Sequence, residues 1–121
     1  MHHMKLHPTP FEKIKSGEKT IELRLFDGKR QKIKAGDAVT FTNTETGEQM
    51  TKTVKKLHRF DSFAELYQTL PLLRCGYTAE DVDTAHPSDM GQYYSAEEQK
   101  EYGVVGIELF PPGGDAVTEG D

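Results

Sequence analysis

The chain has 121 residues and one Cys, which predicts a single domain with a modest core and excludes a disulfide-linked secreted scaffold. Because no apolar run approaches the ~20 residues of a membrane span and no apolar signal region begins the chain, we expect a cytoplasmic protein with no membrane partner. Its formal net charge of −5 is unevenly placed: residues 1–60 carry 13 Lys and Arg against 7 Asp and Glu, whereas residues 61–121 carry 2 against 13.

The first elements in the chain are a predicted strand and a short helix. Met4–His7 alternates between apolar and polar residues and is followed by a proline, which predicts a strand that ends there. Thr9 stands before a second proline, a pattern typical of a helix N-cap with proline at the first helical position. Gly17 ends that helix.

Thr20–Phe26 alternates strictly and is the clearest predicted strand. Side chains of a strand point alternately to its two faces, so Ile21, Leu23 and Leu25 share one face. We expect that face to join the core. The polar residues lie on the opposite face.

Turn and capping residues predict the remaining elements. A hairpin turn at Thr44–Glu48 separates two strands, Ala38–Thr42 and about Met50–Phe60, and the last strand is Val104–Phe110. Ser62 and Ser95 each begin a capping-box pattern and predict a helix. Two further helices are predicted at Thr78–Ala85 and Pro87–Tyr94.

Strands at both ends with helices between them predict an α+β domain over residues 1–110. Its centre would be a curved mixed sheet or small mixed β-barrel, with helices covering the openings. No internal repeat or linker divides it. Residues 111–121 contain Pro, Gly and three acids without an apolar pattern, and we expect a disordered acidic C-terminal tail.

Lys19, Glu22 and Arg24 form the first candidate site. Glu22 and Arg24 share the polar face of their strand, and Lys19 stands at its start beside the glycine turn. Two cations around a carboxylate are suited to hold a phosphate, or to polarise a carbonyl while the acid moves a proton. The alternative is a solvated strand face whose Glu–Arg pair contributes little.

A second candidate is the basic stretch that follows, with Lys29, Arg30 and Lys34. Because it continues from the strand that carries Arg24, its cations would extend a phosphate-binding rim. The alternative is a solvated loop. The basic half of the chain, residues 1–60, has the same two interpretations. Its cations bind a polyanion, or they pair on folding with the acids of residues 61–121.

The third candidate lies at the start of the last predicted helix. Tyr94 or its neighbour Tyr93 would stack on a base, and the hydroxyl of Ser95 at the helix N-terminus would bind an anion. The alternative is structural: Ser95 and Glu98 cap the helix, and one tyrosine packs inward. The sequence leaves open which of Tyr94, Ser95, Glu97 and Glu98 reaches a cleft.

Metal-binding patterns are weak. The N-terminal histidines have no helix or cysteine partner, and the acids near residues 81–89 do not match a calcium loop. Cys75 has no paired histidine motif nearby. We therefore expect no metal and no cofactor.

Phe11-x-x-Ile14-x-x-Gly17-x-Lys19-x-x-Glu22-x-Arg24 resembles the signature of the ASCH domain family. Two further segments fit the family pattern, Gly36-Asp37 before a strand and Tyr102-Gly103-Val104-Val105-Gly106-Ile107 at the end. The resemblance covers about residues 4–110. It implies a PUA-like fold with a cleft beside the barrel, lined by Lys19, Glu22 and Arg24, that receives RNA or a nucleotide.

The family resemblance also leaves enzymatic activity open, because activity does not follow from fold. Some small ASCH proteins resemble amidohydrolases of acetylated cytidine that use a lysine, a threonine and a glutamate. Lys19 matches the lysine, and Glu22 stands where the threonine is expected. Other members are described as ribonucleases that rely on the lysine and nearby hydroxyls, a part that Ser95 or Tyr94 would take.

We therefore expect an RNA- or nucleotide-binding ASCH domain. Its predicted binding residues are Lys19, Glu22, Arg24, Lys29, Arg30, Lys34, Tyr94 and Ser95. The first alternative is a small hydrolase in the same cleft, a ribonuclease or a modified-nucleoside amidohydrolase, with Lys19, Glu22 and Ser95 as catalytic residues. The second is a protein-interaction module that meets a basic partner through the acidic helices of residues 61–110.

Overall fold

Five strands, three short helices and four 3₁₀ turns make up residues 2–110, which the computed structural model describes. The strands are β1 (His2–Leu6), β2 (Ile21–Leu25), β3 (Ala38–Asn43), β4 (Gln49–Phe60) and β5 (Val104–Leu109). The helices are α1 (Pro8–Ser16), α2 (Phe63–Thr69) and α3 (Ala96–Tyr102), and the 3₁₀ turns are Arg30–Lys32, Leu72–Arg74, Val82–Thr84 and Pro87–Gln92. The predicted α+β class is confirmed. The predicted tail, residues 111–121, lies outside the described residues.

The strands form one mixed sheet in the order β1-β3-β4-β5-β2. β1 runs parallel to β3, and the other neighbours are antiparallel. The sheet curls into a half-barrel that brings its two edge strands towards each other. One hydrogen bond joins them: Nη2 of Arg24 on β2 donates to the carbonyl oxygen of Lys5 on β1 at 3.0 Å.

The two faces of the sheet carry separate apolar clusters. The inner face packs β1, β3 and β5 against α1, with Phe11 and Phe41 fully buried. The outer face packs β2 against α2 and its flanks, with Phe63 and Leu66 fully buried. Each strand that contributes to both clusters is therefore covered on both sides.

β2 is buried on both faces, which explains where its charged residues lie. Ile21, Leu23 and Leu25 pack in the outer cluster, as the alternation predicts. Glu22 and Arg24 pair in register with Ile107 and Val105 of β5, and both of these belong to the inner cluster. The charged side chains of β2 therefore enter the half-barrel. The alternative of a solvated strand face is wrong, because the side chains of Glu22 and Arg24 are only 6% and 15% exposed.

Two predicted helix boundaries are wrong for local reasons. α1 begins at Pro8 with His7 as its N-cap, rather than at a Thr9 N-cap, because proline is favoured in the first turn and the His7 position already adopts the extended backbone of a cap. The helix predicted at Thr78–Ala85 is only a 3₁₀ turn at Val82–Thr84. There the Asp81 carboxylate accepts the Thr78 backbone N–H at 2.6 Å and closes a turn in place of a helix.

Other predicted boundaries are close to those of the structure. Gly17 ends α1 in the left-handed conformation, and Ser62 and Ser95 cap α2 and α3. The segment predicted as a helix at Pro87–Tyr94 forms the 3₁₀ turn Pro87–Gln92. Within residues 2–110, no helix has the length and apolar character needed to cross a membrane.

Gly103, between α3 and β5, is required by its backbone. Its φ is 74°, and a Cβ built there would lie 3.0 Å from the Phe60 carbonyl oxygen. We expect Gly103→Ala to lower the free energy of unfolding by about 1–3 kcal/mol, because it combines an unfavourable φ with a backbone clash. Denaturant unfolding measures this. Gly28→Ala is the control, since nothing lies within 4 Å of that position; an equal loss in both variants would contradict the assignment.

Candidate functional site

A cavity of about 510 Å³ opens beside the half-barrel. Residues at the junction of β1 and α1 line one part of it, and β2 with the residue Lys19 before it lines the floor. Tyr67 of α2 and the irregular segment between α2 and α3 line the wall. Its volume is in the range of small-molecule sites. The floor residues are Lys19, Glu22 and Arg24.

The Glu22 carboxylate is the centre of the floor. Its side chain is 6% exposed, and its two oxygens bind different cations: Lys19 Nζ lies 2.7 Å from Oε1, and Arg24 Nε lies 2.7 Å from Oε2. Burial alone would raise the pKa of Glu22, but the charges and hydrogen bonds of Lys19 and Arg24 outweigh it and the pKa is lowered. Glu22 is therefore an ionised carboxylate with both oxygens occupied, which suits it to hold cations rather than to transfer protons.

Arg24 connects the floor to two other parts of the fold. Burial would lower its pKa, but Glu22, followed by the Tyr94 hydroxyl, raises it, so the guanidinium stays charged. The ring of Tyr94 stacks on Phe63 of α2, with centroids 5.9 Å apart. Burial raises the pKa of Tyr94. Tyr94 is thus a neutral, packed side chain whose hydroxyl faces the cation.

The first helix adds a cation on the other side of the cavity. Lys13 Nζ donates to the carbonyl oxygen of Gly76 at 2.7 Å. The aliphatic part of Lys19 lies against the same glycine, because a Cβ added there would be 3.4 Å from Lys19 Cδ. Neighbouring Cys75 also lines the cavity, and burial raises its pKa to about 12, so it remains a protonated thiol.

An aromatic and acidic wall lines the same cavity. The Tyr77 hydroxyl donates to Asp89 Oδ2 at 2.6 Å, and the Tyr67 hydroxyl lies 2.6 Å from that of Tyr77. A hydroxyl has one hydrogen, so Tyr67 must donate to Tyr77. The Tyr77 hydrogen bond is the main cause of the lowered pKa of Asp89. The wall therefore adds a charged carboxylate to a cavity whose floor carries two cations.

Four of the sequence-predicted site residues line this cavity: Lys19, Glu22, Arg24 and Tyr94. Lys29, Arg30 and Lys34 do not. Arg30 pairs with Asp27 at 3.1 Å, and the two lysines are exposed. Their binding role stays a prediction, without support from the cavity.

Ser95 also lies outside the cavity lining. Its hydroxyl accepts the Glu98 backbone N–H at 3.1 Å, and Glu98 Oε1 accepts the Ser95 backbone N–H at 3.0 Å. These bonds form the capping box of α3, and Glu97 and Glu98 are exposed. Of the four residues left open by the sequence, Tyr94 is the one that reaches the cavity.

Sequence reasoning missed the wall residues Tyr67, Tyr77 and Asp89. Tyr77 and Asp89 belong to the stretch between α2 and α3, where 3₁₀ turns and loops leave no regular period to read. Tyr67 lies on α2, where its helical spacing predicts packing and gives no sign of a hydrogen bond to Tyr77. Among the described residues, no cluster of three or more His, Cys, Asp or Glu side chains has the arrangement of a metal site.

The ASCH domain family model matches residues 4–113. This chain belongs to the ASCH domain family. The match includes the whole cavity floor and the cavity wall. No curated protein matches the chain.

Solved structures agree with this assignment. The crystal structure of the hypothetical protein PH0355 is 35% identical, with a TM-score of 0.72 over 90% of this chain and 96% of the other. The solution structure of protein PF0455 from Pyrococcus furiosus is 32% identical, with a TM-score of 0.69 over 91% and 96%. The ASCH protein of Zymomonas mobilis is 13% identical, with a TM-score of 0.58 over 88% and 64%, and shows the fold alone.

Removing the charge of Glu22 tests the floor of this ASCH domain. We expect Glu22→Gln to lower the free energy of unfolding by about 3–5 kcal/mol, because it leaves two mostly buried cations without their anion. Chemical denaturation at pH 7 measures the loss. The matched control is Glu48→Gln, which breaks the exposed Lys15–Glu48 pair and should change little. Similar small losses in both variants would contradict the described role of Glu22.

The comparison of wild type with Glu22→Gln also predicts a pH dependence of stability. The pKa of Glu22 is lowered from its ordinary value of 4.5 in the folded protein, so its contribution is complete above about pH 4.5 and is lost as the pH falls through the folded-state pKa. The stability gap between wild type and Glu22→Gln should therefore narrow as the pH falls below about 4.5. Unfolding curves recorded at a series of acidic pH values measure it. A constant gap would show that Glu22 is not ionised in the folded protein.

Proposed function

We propose that this ASCH domain binds a nucleotide, free or as a unit of RNA, in the cavity above Glu22. The observation that carries the proposal is the fixed pair of cations on the cavity floor, Lys19 and Arg24, each 2.7 Å from one buried carboxylate. Such cations need little ordering when an anion binds. A phosphate is the anion that nucleotides supply.

Lysine and arginine donors together provide the free hydrogen-bond capacity of the site. An ammonium has three N–H donors and a guanidinium has five. Lys19 directs one donor to Glu22, and Lys13 directs one to Gly76, so each retains donors for a phosphate. Arg24 directs one donor to Glu22 and one to the Lys5 carbonyl, and it also retains donors. All three cations are therefore proposed to bind the phosphate.

The acidic wall limits the size of the ligand. Asp81 and Asp89 also line the cavity, and their charges would repel additional phosphates nearby. A polar ligand with one anionic end fits this division of charge better than a long duplex does. A nucleoside with a single phosphate has that form.

Lys19→Ala tests the proposed function. We expect it to weaken binding of a short single-stranded RNA by about 10-fold or more and to reduce the salt slope by about 0.7–1, because one phosphate contact is lost. Fluorescence anisotropy at several salt concentrations measures both. Lys34→Ala is the control, since that lysine is exposed and outside the cavity.

Two results would contradict the proposal. The first is equal binding by wild type and Lys19→Ala in proteins whose unfolding curves show both to be folded. The second is an equal loss in Lys34→Ala, which would assign binding to the general charge of the basic half.

Hydrolysis in the same cavity is the second candidate function. The observation that favours it is that Lys19 and Thr9 both line the cavity, because a lysine that reaches a hydroxyl can activate it as a nucleophile. Under this proposal Glu22 would position Lys19. Ser95, predicted as catalytic, already serves as the N-cap of α3.

Turnover separates hydrolysis from binding. If the domain is a hydrolase, wild type should cleave RNA oligomers or acetylated nucleosides, and Lys19→Ala and Thr9→Val should lose that activity while Ser95→Ala keeps it. Chromatography of the products measures this. Absence of turnover in wild type together with retained RNA binding would eliminate the hydrolase and leave the binding module.

A protein partner at residues 61–110 is a third candidate. Acids along this segment are exposed, including Glu80, Asp83, Glu97 and Glu101, and would meet a basic surface. A cytoplasmic location remains a prediction.

A further inference from the structure

We propose that Tyr93, at the edge of the cavity, is a stacking platform for the nucleotide that follows or precedes the one in the cavity. The ligand class is then a single-stranded RNA segment or RNA end, rather than a free nucleotide. This inference rests on the proposed function and names its substrate class.

The Tyr93 side chain is exposed, and its packing and polar contacts do not account for its position. Its exposed fraction is 57%, and among the described residues the other large exposed hydrophobics are Leu73 and Tyr102. Of these three, Tyr93 is the one that lines the cavity. Within residues 2–110 its hydroxyl makes no hydrogen bond, so neither packing nor polar contacts explain its position.

The neighbouring residue Tyr94 is packed, so the exposure is specific to Tyr93 and is not shared by the adjacent residue. Tyr94 packs on Phe63 and faces Arg24. The rings of Tyr93 and Tyr94 are 6.4 Å apart and tilted by 55°, so Tyr94 does not cover a face of Tyr93 as a stacked ring would. The two residues thus divide into an inner tyrosine that supports the floor and an outer one with an open ring face.

Size and position point to a second nucleotide as the occupant. A cavity of about 510 Å³ suits one drug-sized unit, so the next unit of a chain must lie outside it. The Tyr93 ring lies 6.4 Å from the ring of Tyr94, and the Tyr94 hydroxyl faces Arg24. In the proposed complex a linking phosphate would pass near that cation while the second base reaches the Tyr93 ring. Stacking accepts any base, which fits a site without further base-reading groups.

Paired ligands provide the test. Isothermal titration calorimetry would compare the best-binding ribonucleoside monophosphate with dinucleotides that extend it at either end, and with the same dinucleotides carrying an abasic second unit. We expect one dinucleotide to bind more tightly than the monophosphate, and the abasic form to lose that gain. The measured quantity is the Kd of the monophosphate divided by the Kd of the dinucleotide.

Variants of the exposed tyrosines test whether Tyr93 causes the tighter binding of the dinucleotide. Tyr93→Ala should reduce the ratio by about 5- to 150-fold, the range for loss of one base–aromatic stack, and Tyr93→Phe should retain it because the ring remains. Tyr102→Ala is the matched control, since Tyr102 is 40% exposed but outside this cavity. It should leave the ratio unchanged.

Each other outcome overturns the inference. If wild type binds the monophosphate and the dinucleotides equally, or if Tyr93→Ala keeps the ratio, Tyr93 is not a platform, although the proposed function stands. If Tyr102→Ala reduces the ratio as strongly, the effect is not specific to the cavity. If wild type binds neither ligand, both the proposed function and this inference are wrong.

Discussion

The buried carboxylate of Glu22 is the constraint on which the rest of the site depends. An anion inside the half-barrel is costly unless cations neutralise it, and Lys19 and Arg24 do so at 2.7 Å each. Arg24 then reaches the Lys5 carbonyl and ties β2 to β1 at the open edge of the sheet. Lys19 lies against the segment that forms the cavity wall. Through its two cations, the Glu22 carboxylate therefore connects the contact between the edge strands, the cavity wall and the positive charge of the floor.

Lys19 and Arg24 both bind Glu22 but connect it to different parts of the fold. Arg24 joins β2 to β1, because its planar donors reach a carboxylate and a carbonyl together. Lys19 binds the other oxygen of Glu22 and lies against Gly76 of the wall. Removal of Glu22 or of Lys19 takes one partner from a mostly buried ion pair, so either change alters stability as well as ligand contacts. Stability and binding must therefore be measured on the same variants to assign a loss of binding to a lost ligand contact.

The sequence predicted the strand β2, its alternation and the group Lys19, Glu22 and Arg24, because these follow from local spacing and from resemblance to the family. It could not show that both faces of β2 are covered, since β1 reaches β2 only through the curl of a sheet in which the two strands are opposite edges. The sequence also could not predict the cavity wall. Tyr67 comes from α2, and Tyr77 and Asp89 come from loops and 3₁₀ turns fixed by side-chain bonds such as Asp81 to Thr78. Ser95 has the same sequence pattern whether it caps a helix or binds an anion.

The uneven charge of the chain has a structural outcome as well. Among the described residues there are seven close contacts between a basic and an acidic side chain, two of which involve a histidine. Five of them join groups within the first sixty residues, and the other two both use Glu108. The acidic second half therefore does not neutralise the basic first half by direct pairing, apart from Glu108. The acids between residues 80 and 101 remain largely exposed, and their field surrounds a small cationic cavity. Such a field admits one or two phosphates at the mouth but opposes the many distant phosphates of a long duplex, so short or single-stranded ligands are the ones that this charge distribution favours.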